Sequence, residues 1–145
     1  MKSIKKAEVD RIFCLHGIEH CLDVARISYI IALEEGLDIK KDVIYATALL
    51  HDIGRCEEYQ NNISHHEIGA KMAEDILVRA DYTEDECREI CQAIACHKDD
   101  AAESDKYNLK SLLYKADKLS RNCFSCDAYQ ECYWQESKKN HTITY

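Results

Sequence analysis

Not one proline interrupts this 145-residue chain, and it contains only four glycines. Proline costs ~3 kcal/mol inside a helix and glycine ~1 kcal/mol, so their scarcity leaves long helices unopposed. Apolar residues also recur at helical steps. His20, Val24, Ile27 and Ile31 follow one another at intervals of four, three and four, which is one face of a helix over about 18–35, stopped at Gly36. A second helix is expected over about 40–53 with Val43, Ile44, Thr47, Ala48 and Leu50, closed by Gly54, and a third over about 65–80 with Ile68, Met72, Ile76 and Leu77. Thr83 and Glu86 have the spacing of a capping box and start a fourth helix through Ile90, Ala93 and Ile94. Lys98 to Lys106 reads as a loop, and a fifth helix covers about 108–121. No segment alternates with period two. The expected fold is all-α: a compact helical bundle, one domain over 1–145, with a non-helical cysteine-bearing tail at 122–145.

Hydrophobic residues make up 46% and charged residues 32%, a globular balance. The net charge of −8 argues against a partner held by bulk positive charge, so neither nucleic acid nor an anionic membrane is expected. No apolar run approaches the ~20 residues that span a bilayer. The basic start, Met1 to Asp10, has no apolar segment behind it and is not a secretory signal. Nine cysteines cannot all pair within one chain, and they read as reduced thiols in a cytoplasmic protein. Oligomeric state is left open by these features.

Several ionisable residues lie where apolar ones belong. His20 shares the Val24 face, His51-Asp52 closes the run Tyr45 to Leu50, His97 follows Ile94 by three, and Asp117 follows Leu113 by four. A buried carboxylate must be paired, metal-bound or protonated. Imidazoles and carboxylates converging from separate helices are how bundles build metal centres.

The order His20, His51-Asp52, His65, His97, Asp117 resembles the HD-domain phosphohydrolase superfamily. The contexts match too: His16-Gly-Ile-Glu-His20 before Val24-Ala25, Ala48-Leu-Leu-His51-Asp52-Ile-Gly54, His65-His66-Glu-Ile-Gly69-Ala70, Ala93-Ile94 before His97, and Tyr114-Lys-Ala-Asp117-Lys-Leu119. The resemblance spans about 16–121. It implies that His20, His51, Asp52 and Asp117 hold one metal ion, that His65 and His97 serve a second, and that Asp52 bridges the two. His65 precedes Gly69 by four residues, as in the family pattern; His66 is the alternative. His16 either flanks the same cleft or stays exposed ahead of the helix.

Mixed nitrogen and oxygen ligands suit Mn, Fe, Co, Ni or Zn. Divalent ions lower the pKa of water toward ~7, and two ions ~4 Å apart hold hydroxide and phosphoryl oxygens together. The expected catalytic group is therefore His51 and Asp52, with Arg55, Lys98 and Arg121 as candidates for the remaining phosphate charge. Lys115 and Lys118 are placed on the outer face, and Glu57 and Glu58 are weaker candidates for acid–base work. The implied function is hydrolysis of a nucleotide, a dinucleoside polyphosphate or another small phosphate ester. The alternatives are a di-iron oxygenase built on the same cage and a non-catalytic metal- or redox-sensing module.

The tail carries Cys123-x2-Cys126-x5-Cys132. Three thiols at this spacing suggest zinc or an iron–sulfur cluster, which needs a fourth ligand. The spacing resembles part of the iron–sulfur loop of base-excision glycosylases, but the position of that loop's first cysteine is Ala116 here. Cys14, Cys56, Cys91 or Cys96 could complete the set, and Cys14 is favoured because the ends of a compact domain often meet. The other reading is that these are reduced cysteines packed beside Tyr133 and Trp134.

Overall fold

The computed structural model describes residues 2–97 and 107–145, so the candidate Lys98 lies outside the described residues. The fold is all-α. Helices run over Lys2–Ala7 (α1), Ile18–Glu34 (α2), Lys41–Leu50 (α3), Arg55–Asn61 (α4), His65–Arg79 (α5), Glu84–Cys96 (α6) and Leu109–Leu119 (α7). Two short 3-10 turns, Cys123–Ser125 and Glu136–Lys138, are the only regular structure of the tail. None of the described helices is long and apolar enough to cross a membrane.

α2 lies at the centre of the packing, against α3 on one side and α7 on the other. α6 closes the bundle by touching α3, α5 and α7. The α2 side chains that reach the core, Cys21, Val24, Ala25, Ile27, Ser28, Ile31 and Ala32, recur at the three- and four-residue steps of one stripe. They meet Ile44, Ala48, Ile90, Ile94, Leu112 and Leu113 in a single cluster. Each fully buried aliphatic side chain there is worth ~1.5–3 kcal/mol.

The helix boundaries follow local chemistry. Gly36 takes φ +62°, the left-handed conformation that ends α2 at little steric cost. The Thr83–Glu86 capping box forms as expected, and Asn108 and Ser111 form a second one ahead of α7. Two helices have no periodic signal. α1 buries only Ile4, and α4 buries no residue at all, so neither shows an apolar stripe to read.

The expected helix over 40–53 stops earlier, at Leu50. His51 to Gly54 form a turn into α4, so the His-Asp pair sits at a corner. Gly54 makes that corner fit. A Cβ there would come within 2.2 Å of the His65 carbonyl oxygen and 2.8 Å of the Gly69 nitrogen. Both are backbone atoms of α5, which cannot swing aside as a flexible side chain could. Glycine at 54 thus brings the His51-Asp52 corner into contact with the helix that starts at His65. Gly54→Ala is expected to lower stability by at least the ~1–3 kcal/mol typical of overpacking. Urea unfolding followed by circular dichroism measures the loss.

Candidate metal centre

Asp52 is the hub of the site. Its side chain is about 1% exposed, and its two oxygens face different neighbours. Oδ2 lies 3.2 Å from His51 Nε2 and 3.7 Å from His20 Nε2. Oδ1 lies 3.5 Å from His65 Nε2 and 3.9 Å from His97 Nε2. Asp117 Oδ1 joins the first group, 3.3 Å from His20 Nε2 and 3.8 Å from His51 Nε2. His20 and His51 bring their Nε2 atoms to 3.3 Å. Metal–ligand bonds of about 2.1 Å set neighbouring donors roughly 3.0–3.4 Å apart. The first group is close to that spacing, and the second is slightly wider. Among the described residues, two groups of three have all ligand atoms within 4.8 Å: His20, His51 and Asp52, and Asp52, His65 and His97.

The rings are held with Nε2 inward because Nδ1 is engaged outward. His51 donates from Nδ1 to the Ala48 carbonyl at 2.7 Å, and His97 to that of Ile94 at 2.6 Å. Both stand at the C-terminal end of a helix, where the last carbonyls have no helical partner. The helix end therefore supplies the acceptor that fixes the tautomer. His65 Nδ1 donates to Glu58 at 2.7 Å, and His20 Nδ1 to the Ser120 hydroxyl at 3.2 Å. That hydroxyl donates in turn to the Asp117 carbonyl at 2.8 Å. These are the outer partners that metal-binding imidazoles require.

The electrostatics suit the same role. Burial opposes the Asp52 carboxylate, but His51 and the Arg55 guanidinium outweigh it and hold the pKa well below the usual range. Burial also opposes the His51 cation, yet Asp52 and Asp117 hold its pKa well above ordinary, so an ion ligated by His51 would displace a proton there. His97 is pushed down to about 4 by burial and by His51, so it is a neutral donor at pH 7. Asp52 Oδ2 is fully buried without a hydrogen-bond partner. Such an atom is costly unless a charge faces it. A cation among His20, His51, Asp52 and Asp117 would meet that oxygen, so the donor set fits a divalent ion.

The structure brings together every described residue of the expected cage. His65 is the buried one of its pair and faces Asp52, whereas the half-buried His66 has its ring 4.9 Å from that of His65 and 5.8 Å from that of His97. Arg55 Nε donates to Asp52 Oδ1 at 2.9 Å and its Nη1 to Glu58 at 3.0 Å. Arg121 lies 3.9 Å from Asp117, with its guanidinium 4.2 Å from the centre of the Trp134 ring. Two placements need correction. Lys118 is not on the outer face: it lines the cavity beside the site, with Nζ over the Tyr114 ring. Glu58 is engaged by His65 and Arg55 and so orients ligands, while Glu57 accepts from Asn61.

His16 is buried rather than exposed. Its Nδ1 donates to Glu8 at 2.5 Å, Tyr59 donates to the same carboxylate at 2.7 Å, and Nε2 points to Asp52 Oδ2 at 4.0 Å. Burial drives the His16 pKa down. Glu8, Tyr59 and Ser120 carried no sequence signal except position: Ser120 stands one turn beyond Asp117.

The HD domain family model matches residues 17–122, and the chain belongs to that family. It is 45% identical over 145 residues to an uncharacterized protein of Clostridium beijerinckii, covering all of this chain and 90% of that one. It is 32% identical over 116 residues to the putative phosphohydrolase YueE of Bacillus subtilis, covering 71% of this chain and 65% of the relative. A predicted HD superfamily hydrolase from an uncultured Thermotogales bacterium has a crystal structure that superposes with a TM-score of 0.62. The two are 27% identical, and the superposition covers 94% of this chain and 77% of the other.

Glu58→Gln removes the charged outer partner of His65. It is expected to weaken binding at the His65–His97 group by roughly 10–100-fold while sparing the His20–His51 group. Electron paramagnetic resonance of a manganese titration would count the two affinities separately.

Proposed function

We propose that this chain is a metal-dependent phosphohydrolase acting on a small phosphate ester, with a nucleotide or dinucleoside polyphosphate as the preferred class. The observation that carries this reading is a shared carboxylate, Asp52, presented to two imidazole groups beside a cavity of about 700 Å³ that His20, His97 and Asp117 line. That volume suits a small molecule. Divalent ions held there would supply ionised water near neutral pH and charge for phosphoryl oxygens. His20, His51, Asp52 and Asp117 would hold one, with His65 and His97 on the other side of Asp52.

The walls support an anionic substrate. Arg11, Arg55, Lys118, Arg121, Lys138 and Lys139 all line the cavity, in a chain whose net charge is −8. Such a local reversal of sign recruits phosphate. Arg55, tethered by Asp52 and Glu58, stands nearest the centre and orients a phosphoryl oxygen there. Arg121, held on the Trp134 face, reaches the outer phosphates. Beside these cations the wall is aromatic. Phe13 packs edge-on against Tyr133 at 5.8 Å, and Tyr133 stacks on Trp134 at 5.6 Å. Tyr133 is 69% exposed, an expensive placement for so large a ring unless something stacks on it. A nucleobase is a ligand with a matching face.

A chelated preparation should lose hydrolysis of phosphate esters and regain it with one of Mn, Fe, Co, Ni or Zn. Asp52→Asn should lower turnover by more than the ~10–100-fold that an outer partner costs, since it removes the charge shared by both groups. A restored preparation that hydrolyses no phosphate ester across a broad screen would rule the reading out. Tyr133→Ala should raise KM for a nucleotide about tenfold, in line with the ~1–3 kcal/mol of base stacking, and leave kcat unchanged. Glycerol phosphate, which has no base, should show no change in KM.

A further inference from the structure

The tail cysteines are the one sequence motif that phosphate hydrolysis leaves unused. Cys123, Cys126 and Cys132 line the cavity, and so does Cys14, from the segment between α1 and α2. Cys56, Cys91 and Cys96 do not. Four thiols thus converge on one wall from chain positions more than a hundred residues apart, and none is in a disulfide. The Cys126 amide donates to the Cys123 carbonyl at 3.2 Å and the Tyr129 amide to the Cys126 carbonyl at 3.1 Å, so consecutive tight turns present the pair. The tail needs a source of order, because no residue from 122 to 145 is buried. Half-buried side chains and the Asn140 amide, which donates to the Lys118 and Arg121 carbonyls at 2.9 and 2.8 Å, offset only part of its conformational entropy.

We propose that Cys14, Cys123, Cys126 and Cys132 bind one thiolate-ligated metal centre that fastens the tail to the segment ahead of α2. Four thiolates close the coordination sphere, so the centre is structural. Binding releases the thiol protons, and its free energy becomes folding free energy for the tail. Two cations stand at the same wall: Arg11, whose Nε donates to the Cys14 carbonyl at 3.1 Å, and Arg121. No three of these sulfurs fall within 4.8 Å of one another, so ligation draws the tail turns toward Cys14. Phe13 and Tyr133 each adjoin one of the ligands in sequence and already pack together. The centre therefore also fixes the aromatic wall of the cavity.

The test is independent of the hydrolytic reading, since it uses no activity. Cobalt(II) is titrated into the reduced full-length chain without oxygen, and the thiolate-to-cobalt charge-transfer band is recorded. Nitrogen and oxygen ligands at Asp52 give no such band. One thiolate-bound cobalt per chain is expected. The band should disappear in Cys126→Ser and persist in Cys96→Ser and in Asp52→Asn, each checked for helix content by circular dichroism. Cys14→Ser should remove it too; a full band in that variant overturns the assignment of Cys14. In the unmodified chain, cobalt or zinc should slow the reaction of four thiols with a thiol reagent at least tenfold. Absence of the band, or equal reactivity with and without metal, overturns the centre. A brown isolate containing iron and sulfide that is lost in Cys126→Ser identifies an iron–sulfur form, and a colourless one containing zinc the zinc form.

Discussion

The rest of the structure is arranged around a carboxylate that water cannot reach. Removing an ion from water costs several kcal/mol even after the protein relaxes. Asp52 meets that cost with His51 and Arg55 on the protein side, and it still leaves one buried oxygen without a hydrogen bond. A divalent ion among the surrounding donors would face that oxygen. The two oxygens of one side chain divide the site, so the first group and the second are joined by an atom pair no wider than a carboxylate. Neither can be moved without the other.

That constraint explains the helix ends. Four of the imidazoles need an acceptor behind them so that Nε2 faces inward. Two take it from the last turn of their own helix, at Ala48 and Ile94, where carbonyls are unclaimed. The other two take it from neighbours, Glu58 on α4 and Ser120 just after α7. The site is therefore built at the ends of α3, α6 and α7 and the starts of α2 and α5, and the helix interiors are left free for apolar packing. The Gly54 corner belongs to the same design. It lets backbone touch backbone, so that His65 lies 3.5 Å from Asp52.

The cavity above the centre shows how charge is redistributed in an acidic protein. Basic side chains from both ends of the chain face the same space, several of them held by aromatic rings: Arg121 over Trp134, Lys118 over Tyr114, Lys139 over Tyr129. Two of them also pair with carboxylates, Arg121 with Asp117 at 3.9 Å and Lys139 with Glu136 at 3.3 Å, so ring and carboxylate together set their positions. The tail thus adds to the helical cage the charge and the aromatic surface that the cage lacks.

The helices from 18 to 35, 65 to 80, 83 onward and 108 onward were legible in the sequence because each carries an apolar stripe or a capping pair. Some candidate ligands were legible for a related reason: His20, His97 and Asp117 are polar residues on apolar stripes, a conflict that only pairing or a metal resolves, whereas His65 rested on the family resemblance. Helices α1 and α4 were not legible, since they bury one residue and none. Tyr59 and Glu58 reach the site from α4 and Glu8 from the turn just after α1, and their contacts depend on the α1–α4 packing. Lys118 was misplaced because stripe reading gives the face of a helix but not the height of the tail that folds over it. The choice of His65 over His66 came down to the close approach at Gly54. Cys14 was favoured over Cys56, Cys91 and Cys96 only by its nearness to a terminus, and the three-dimensional path of the chain put it on the same wall as the tail thiols. Local periodicity and the chemistry of buried charge determine the bundle and its ligands. Which outer groups hold them, and what closes over them, depends on contacts between segments far apart in sequence.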